Sequence, residues 1–317
     1  VLGMSAVRGL KADADLKDEA RKLLSFSDNR QDASLQAGHF NDFVEVGLLR
    51  AALYRAAETA GDDGLRHESL TQAVFATLDL DVADYAADPD VKFQAAKETH
   101  KALRDVLGYR LYIDQRRGWR ITLPNLEQCG LLQTDYLSLE ELCAAEEEWE
   151  RCHQLLVEAS PETRATVART LLDWMRRTLA IKVDYLDGEF QERIRAQSNQ
   201  RLRPPWDIDD KEKMETATVV LPRSGRHGDY RGYAYLSGRS GFGLYLNRQS
   251  TFPGHRQPLK LDERETIIRQ LLEVLRVAGL VEVVLPAKEG DVPGYQVPAA
   301  AMVWKAGDGT QAFRDPL

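Results

Sequence analysis

Cysteine is scarce in this sequence, and long apolar runs are absent. The 317 residues include three cysteines, Cys129, Cys143 and Cys152, an odd and sparse set that argues against a disulfide scaffold and fits a reducing cytoplasm. No run approaches the roughly 20 apolar residues that a membrane helix needs, and no apolar segment precedes the first charges as it does in a signal peptide. These absences predict a cytoplasmic protein without membrane contact.

Patterns for catalysis, for metal binding and for nucleotide binding are also missing. The histidines share no ligand spacing, and Cys143 and Cys152 beside His153 match no zinc module. The glycine-rich SGRSGFG at 237–243 lacks the Gly-Lys-Ser/Thr ending that holds phosphates and magnesium. The abundant carboxylates are expected on exposed helix faces. We therefore predict no catalytic residue, no metal site and no cofactor in this chain.

Helical periodicity dominates what the sequence does contain. Apolar residues make up 43% and charged residues 29% of the chain, a balance that is typical of soluble globular proteins. Apolar side chains recur at three- and four-residue steps up to residue 202, as on the buried face of a helix. The predicted fold class is mainly α with small β elements (α+β). The predicted helices occupy about 28–59, 67–80, 91–116, 138–159, 160–180 and 189–202.

Capping residues mark where several of these helices begin. A short apolar strand at 22–27 leads into Asp28, the N-cap of the first helix, with Gln31 in the capping-box position. Ser138 and Glu141 predict a capping box for one continuous acidic helix over 138–159. Ser160 is the predicted cap of the next helix, followed by a proline, which the first helical turn tolerates well.

The composition changes after residue 202. RPPWDIDD at 203–210 is a linker or a pinned turn. Between residues 221 and 260, seven basic side chains stand against Asp229 alone, in a chain whose net charge is −8. Glycines and tyrosines lie among them. A helix at about 262–278, stopped at Gly279, then precedes two apolar strands, "LVEVVLP" and "GYQVPAAAMVW", an order that is typical of the second half of a winged helix.

The basic and aromatic segment has two interpretations. Arginines can neutralise phosphates, and tyrosines can stack on unpaired bases, so the segment can contact nucleic acid. Alternatively it is an irregular surface whose arginines pair with the acidic helix 138–159. We favour nucleic-acid contact, without sequence reading, because the helix at 262–278 carries mixed charge. The proposed contact residues in this segment are Arg223, Arg226, Arg231, Arg239, Tyr245, Arg248 and Arg256.

The residues "LLSFSDNRQDASLQAGHFNDF" at 23–43 resemble a known family. They are similar to the opening of the second RecA-like lobe in superfamily 2 ATP-dependent DNA helicases of the DEAD/DEAH class, in the large bacterial subgroup with a C-terminal domain of unknown function. The stretches at 116–132 and 262–281 also resemble that subgroup. The "SDxRQDA" signature of 27–33 is the most specific part. The resemblance implies that Arg30 and Gln31 contact the DNA backbone or couple the two lobes.

The sequence also departs from that family. It has no Gly-Lys-Thr phosphate loop, no DEAD/DEAH box and no arginine-rich motif to complete an ATP site. The resemblance therefore implies ATP and magnesium as cofactors of a parent helicase and none in this chain, which we expect to be a fragment that is inactive alone. Its partners would be DNA and the remaining helicase lobes of the parent.

Three segments follow from this interpretation. Residues 1–60 would form the edge of the second lobe, 61–202 a helical insertion scaffold, and 203–317 the basic segment with a winged-helix-like module. The leading hypothesis is an accessory region that binds or positions DNA. The alternatives are a protein-interaction scaffold that holds domains of the parent together, and a free-standing winged-helix regulator.

Overall fold

The structure, a computed structural model, describes residues 30–116, 124–225, 232–287 and 291–317, and over residues 30–44 it describes the helix backbone alone. The chain divides into two compact units, Val1–Val46 and Gly47–Leu317. In the first unit, the described part is helical backbone from Arg30 onward. The predicted strand at 22–27 and the predicted Asp28 cap lie outside the described residues.

Helix is the main secondary structure of the described residues and the strands are short, so the predicted mixed α+β class is confirmed. The helices predicted near 28–59, 67–80, 91–116, 160–180, 189–202 and 262–278 are present, with small shifts at their ends. The helices are α1 (Arg30–Ala60), α2 (His67–Leu78), α3 (Val82–Tyr85), α4 (Phe93–Ile113), α5 (Leu139–Ala144), α6 (Gln154–Glu158), α7 (Pro161–Arg177), α8 (Gly188–Arg201), α9 (Gly241–Leu246) and α10 (Leu261–Val277).

The strands in the described part of the chain form two small sheets. One has the order β1-β8-β2 and is antiparallel. In the other, β7 pairs with β3, β4 and β6, and β5 extends the sheet beyond β4. The strands are β1 (Leu65–Arg66), β2 (Leu132–Tyr136), β3 (Ile181–Lys182), β4 (Val219–Leu221), β5 (Tyr233–Tyr235), β6 (Glu282–Leu285), β7 (Gly294–Pro298) and β8 (Met302–Ala306).

The single strand predicted for "GYQVPAAAMVW" is wrong, because the chain changes sheets within it. Strand β7 ends at Pro298, a residue without the N–H that a ladder requires. A short 3₁₀ turn at Ala299–Ala301 follows, and β8 then pairs with β1 and β2 in the other sheet. Parts of all three predicted segments therefore meet in the unit Gly47–Leu317.

The continuous acidic helix predicted over 138–159 is also wrong. The segment consists of α5, a 3₁₀ turn at Glu146–Glu148 and the short α6. Ser138 has a φ of +54° and its side chain makes no capping hydrogen bond, so the predicted capping box is absent. The Ser160 cap is confirmed, since its hydroxyl accepts a hydrogen bond from the Thr163 amide at the start of α7.

A continuous apolar core joins the helices and sheets of the unit Gly47–Leu317. Helix α4 packs against α2 and α8, and α5 packs against α7. Trp206 and Ile208 are buried in this core, so 203–210 is a pinned turn and not a free linker. No described helix is long and apolar enough to cross a membrane.

Helix α10 is followed by an antiparallel hairpin, in the predicted order. The helix ends before Gly279, whose φ of +74° is readily adopted only by glycine. Strands β6 and β7 then pair, with Val283 opposite Tyr295. All five residues of β7 are buried, because β7 also pairs with β3 and β4. The second strand of the hairpin thus lies inside the larger sheet.

Candidate functional site

Three parts of the basic segment, residues 238–239, 247–248 and 259–261, meet at the start of α10. A Cβ added at Gly238 would lie 2.7 Å from the Leu261 Cδ1 atom, so these two residues are in close contact. The Asn247 side-chain oxygen accepts a hydrogen bond from the Leu259 amide at 2.7 Å. These contacts bring together residues far apart in the sequence. The exposed cations on the three parts are Arg239, Arg248 and Lys260.

A serine-capped turn holds Arg239 at the surface. The Ser240 hydroxyl donates to the Ser237 carbonyl at 2.7 Å and accepts from the Gly243 amide at 3.3 Å, which caps the short helix α9. The chain is so tightly folded here that a Cβ at Gly243 would meet the Ser237 carbonyl oxygen at 2.4 Å. Gly238 and Gly243 of "SGRSGFG" therefore serve close packing.

We predict that Gly243→Ala lowers the free energy of unfolding by about 1–3 kcal/mol, because the added Cβ would overlap backbone atoms that cannot rotate away. Urea denaturation measures this. Gly188→Ala is the matched control, since nothing lies within 4 Å of a Cβ at that position. The control should leave stability unchanged or raise it by up to about 1 kcal/mol. Equal losses in both variants would contradict the predicted overlap.

The cations of this surface form no ion pair within the described part of the chain. Arg248 donates to the Pro316 carbonyl, and Arg264 donates to the Lys260 carbonyl, both neutral acceptors. Two nearby carboxylates are already engaged, because Glu263 accepts from the Lys260 amide and Glu265 pairs with Arg269. We call this set the basic surface. It consists of Arg239, Arg248, Arg256, Lys260 and Arg264.

Two of the predicted contact residues, Arg223 and Tyr245, do not belong to the basic surface. Arg223 pairs with Asp291 at 3.2 Å and lies over the Tyr235 ring, with 13% of its side chain exposed. Tyr245 is buried, and its hydroxyl lies 3.5 Å from the Thr170 hydroxyl on α7. A buried ring cannot stack on a base, so base stacking by Tyr245 is corrected to a packing role.

The remaining predicted residues divide into two groups. Arg239, Arg248 and Arg256 are exposed, and the first two lie on the neighbouring parts described above. Arg226 and Arg231 lie outside the described residues. The side chains of Arg30 and Gln31 do so as well, although their backbone begins α1.

A polar cavity of about 520 Å³ is a second feature of the molecule. It opens beside β2 and α7, and the chain after β8 forms another wall. Its acidic and aromatic lining residues include Asp173 on α7 and, from the chain after β8, Asp308 and Phe313. Other polar lining residues are Glu127, Thr134 and Arg169.

Two of the lining residues, Glu127 and Asp173, belong to a buried ion-pair cluster. Arg176, 1% exposed, donates to both carboxylate oxygens of Glu127 at 2.8 and 2.9 Å and to Asp173 at 3.1 Å. The Tyr136 hydroxyl donates to the same Asp173 oxygen at 2.8 Å. Burial raises the pKa of the Asp173 carboxyl above its ordinary value, even though Arg176 opposes that shift.

Sequence reasoning missed this cluster, because it placed the carboxylates on exposed helix faces. Glu127, Tyr136 and Arg176 come from separate elements and share no local motif. Asp173 and Arg176 stand three residues apart on α7, a spacing that is also typical of an exposed ion pair. The sequence contains no signal that separates the two cases.

Cys143 is buried and Cys152 half-buried, and both pack as apolar residues, whereas Cys129 is exposed. Burial raises the pKa of the Cys143 thiol to about 12, so the thiol stays protonated at neutral pH and is a poor nucleophile or metal ligand. Burial also raises the pKa of Cys152. Among the described residues, no group of three or more histidine, cysteine or acidic side chains is placed to hold a metal ion.

Comparison of the chain with protein-family models, with curated proteins and with solved structures gives no match. What can be said of function therefore depends on the basic surface, on the polar cavity and on the resemblance of residues 23–43.

Proposed function

We propose that this chain is an accessory region of an ATP-dependent DNA helicase and that it binds DNA through the basic surface. The observation that carries the proposal is a set of five cations, four of them exposed and Arg264 half-buried, without a carboxylate partner in the described part of the chain. Such cations attract phosphates and release their counterions on binding, and this makes DNA affinity dependent on salt. The chain's net charge of −8 makes this local excess of positive charge more distinctive.

In this proposal, α10 with strands β6 and β7 acts as a winged-helix-like module. The order of helix and antiparallel hairpin supports that assignment. Helix α10 exposes Glu273 and Arg276 as an ion pair and Arg269 beside Glu265, so its outer face carries both signs of charge. Mixed charge favours contact with the sugar-phosphate backbone over the reading of base edges. Binding should therefore not depend on DNA sequence.

The parent helicase would supply the chemistry. Residues 23–43 resemble the entry to a second RecA-like lobe, and the lobes of such a parent would bind ATP and magnesium and hydrolyse ATP in the cytoplasm. This chain would add DNA affinity or hold the DNA in position, without ATP hydrolysis of its own. Its Arg30 and Gln31 would contact DNA or the partner lobe.

We predict that Arg239→Glu combined with Arg248→Glu weakens DNA binding at least about tenfold and lowers the salt slope by about two, because two phosphate contacts are lost. Fluorescence polarisation with single-stranded and forked DNA at several salt concentrations measures both quantities. The control is Arg151→Glu with Arg193→Glu, which makes the same change of charge at two exposed arginines outside the basic surface and outside α10.

The control variant should lose much less affinity than the test variant. Equal losses would mean that overall charge matters and the basic surface does not. Absence of any binding by the unaltered chain at low salt would overturn the proposal and favour a scaffold that holds protein domains together. A mass of two chains in light scattering, with binding to palindromic DNA, would instead favour a free-standing regulator.

A further inference from the structure

The polar cavity contains carboxylate oxygens that no described residue engages. Asp173 uses Oδ1 to accept the hydrogen bonds from Tyr136 and Arg176, and no described residue donates to its Oδ2 atom. Asp308 uses Oδ1 for the amide and hydroxyl of Thr310, at 2.9 and 2.6 Å, and its Oδ2 atom is likewise without a donor from the described chain. Asp173 and Asp308 line the same cavity.

The charges around the cavity do not balance. Glu127 is matched by Arg176, and Asp135 and Glu140 are matched by Arg169 and Lys305. Arg176 is shared by Glu127 and Asp173, and Asp308 has no basic partner in the described chain, so five carboxylates of the cavity lining and its direct partners stand against three cations. A bound group of positive charge would remove that excess.

The wall formed by the chain after β8 contains an aromatic ring. Phe313 lines the cavity, and the Arg177 guanidinium already lies 4.4 Å from the Phe313 ring centroid. Aromatic rings beside carboxylates are the surroundings that organic cations prefer in proteins. The cavity volume of about 520 Å³ falls in the range of sites for small organic groups. A bare metal ion would need a denser set of ligands.

We propose that this cavity binds an organic cation that presents several N–H donors to Asp173 and Asp308. Two sources have that chemistry: a free polyamine, and the arginine or lysine side chain of another protein. The proposal is independent of DNA binding, because the polar cavity shares no residue with the basic surface.

Calorimetric titration of the 317-residue chain with spermine, and separately with a capped tri-arginine peptide, tests this proposal. We expect Asp173→Asn to weaken binding of the cation at least about tenfold, because a charge-assisted hydrogen bond is lost. Asp262→Asn is the matched control, an exposed aspartate at the start of α10, and should change affinity less than about twofold. Tighter binding of spermine identifies a free polyamine, and tighter binding of the peptide identifies a protein side chain.

Asp173 is part of a buried cluster, so Asp173→Asn could unfold the protein. In that case the variants Asp308→Asn and Phe313→Leu test the proposal. Asp308 is exposed, and its side chain accepts hydrogen bonds from Thr310 alone among the described residues. Each should weaken binding about threefold. The proposal is overturned if neither cation binds the unaltered chain at millimolar concentration, or if Asp262→Asn weakens binding as much as the cavity variants do.

Discussion

Replacement of Arg176 by methionine should destabilise the protein by about 3–5 kcal/mol, the cost of leaving buried carboxylates without their cation. Glu127 is 7% exposed and receives two hydrogen bonds from Arg176, and Asp173 receives a third. Methionine fills similar space without donating any of them. Urea denaturation of the variant and of the unaltered protein measures the loss.

The matched control is Arg276→Met on α10. Arg276 also pairs with an acidic residue three positions away, Glu273, but both side chains are about half exposed. An exposed pair contributes little, so the control should lose less than about 1 kcal/mol. Glu127→Met combined with Arg176→Met should recover part of the stability lost in Arg176→Met, because one stranded carboxylate is removed. Indistinguishable curves for Arg176→Met and Arg276→Met would show that the buried cluster does not stabilise the fold.

Replacement of Arg164 by methionine should cost about 3 kcal/mol and should loosen residues 139–158 first. Arg164, 1% exposed, donates to the carbonyls of Leu156, Cys143 and Val157 at 2.8, 3.2 and 2.6 Å. It also pairs with Glu146 at 2.8 Å. Without the guanidinium, three backbone carbonyls lose a donor, and the short pieces α5 and α6 lose the side chain around which they fold.

Two measurements separate this local role from a general loss of stability. Urea denaturation gives the overall cost, and hydrogen exchange shows whether amides of 139–158 lose protection before those of α10. The control is Arg151→Met, an exposed arginine in the same segment, and it should stay within about 0.5 kcal/mol of the unaltered protein. If protection falls evenly across the chain, Arg164 does not organise this segment.

Elements that depend on short-range chemistry were predictable from the sequence. Helix α7 begins at Ser160 and Pro161 because the hydroxyl cap and the fixed proline φ act within one turn. Helix α10 ends before Gly279 because the next backbone conformation favours glycine. Helix α4 buries its large apolar side chains, as the three- and four-residue periodicity predicts, except for Phe93, which is 88% exposed with a φ of +52°.

Elements that depend on distant residues were not predictable. The acidic segment 138–159 has the composition of one amphipathic helix, yet it breaks into pieces around Arg164, which lies outside it in the sequence. The apolar run at 294–304 reads as one strand, yet β7 and β8 find partners in different sheets. Periodicity indicates that a side chain is buried, but it does not indicate which residues that side chain packs against.

The same division applies to the two sites. The local excess of arginine at 221–260 is a property of the composition, and from it the sequence alone determined that a basic segment exists. The tertiary structure decided which cations stay exposed, because Asp291 engages Arg223 and the packing of α9 against α10 leaves Arg239 and Arg248 outside. The polar cavity belongs to the tertiary structure entirely. Its charges interact because folding removes them from water and places distant residues within about 3 Å of one another, and no local pattern encodes either effect.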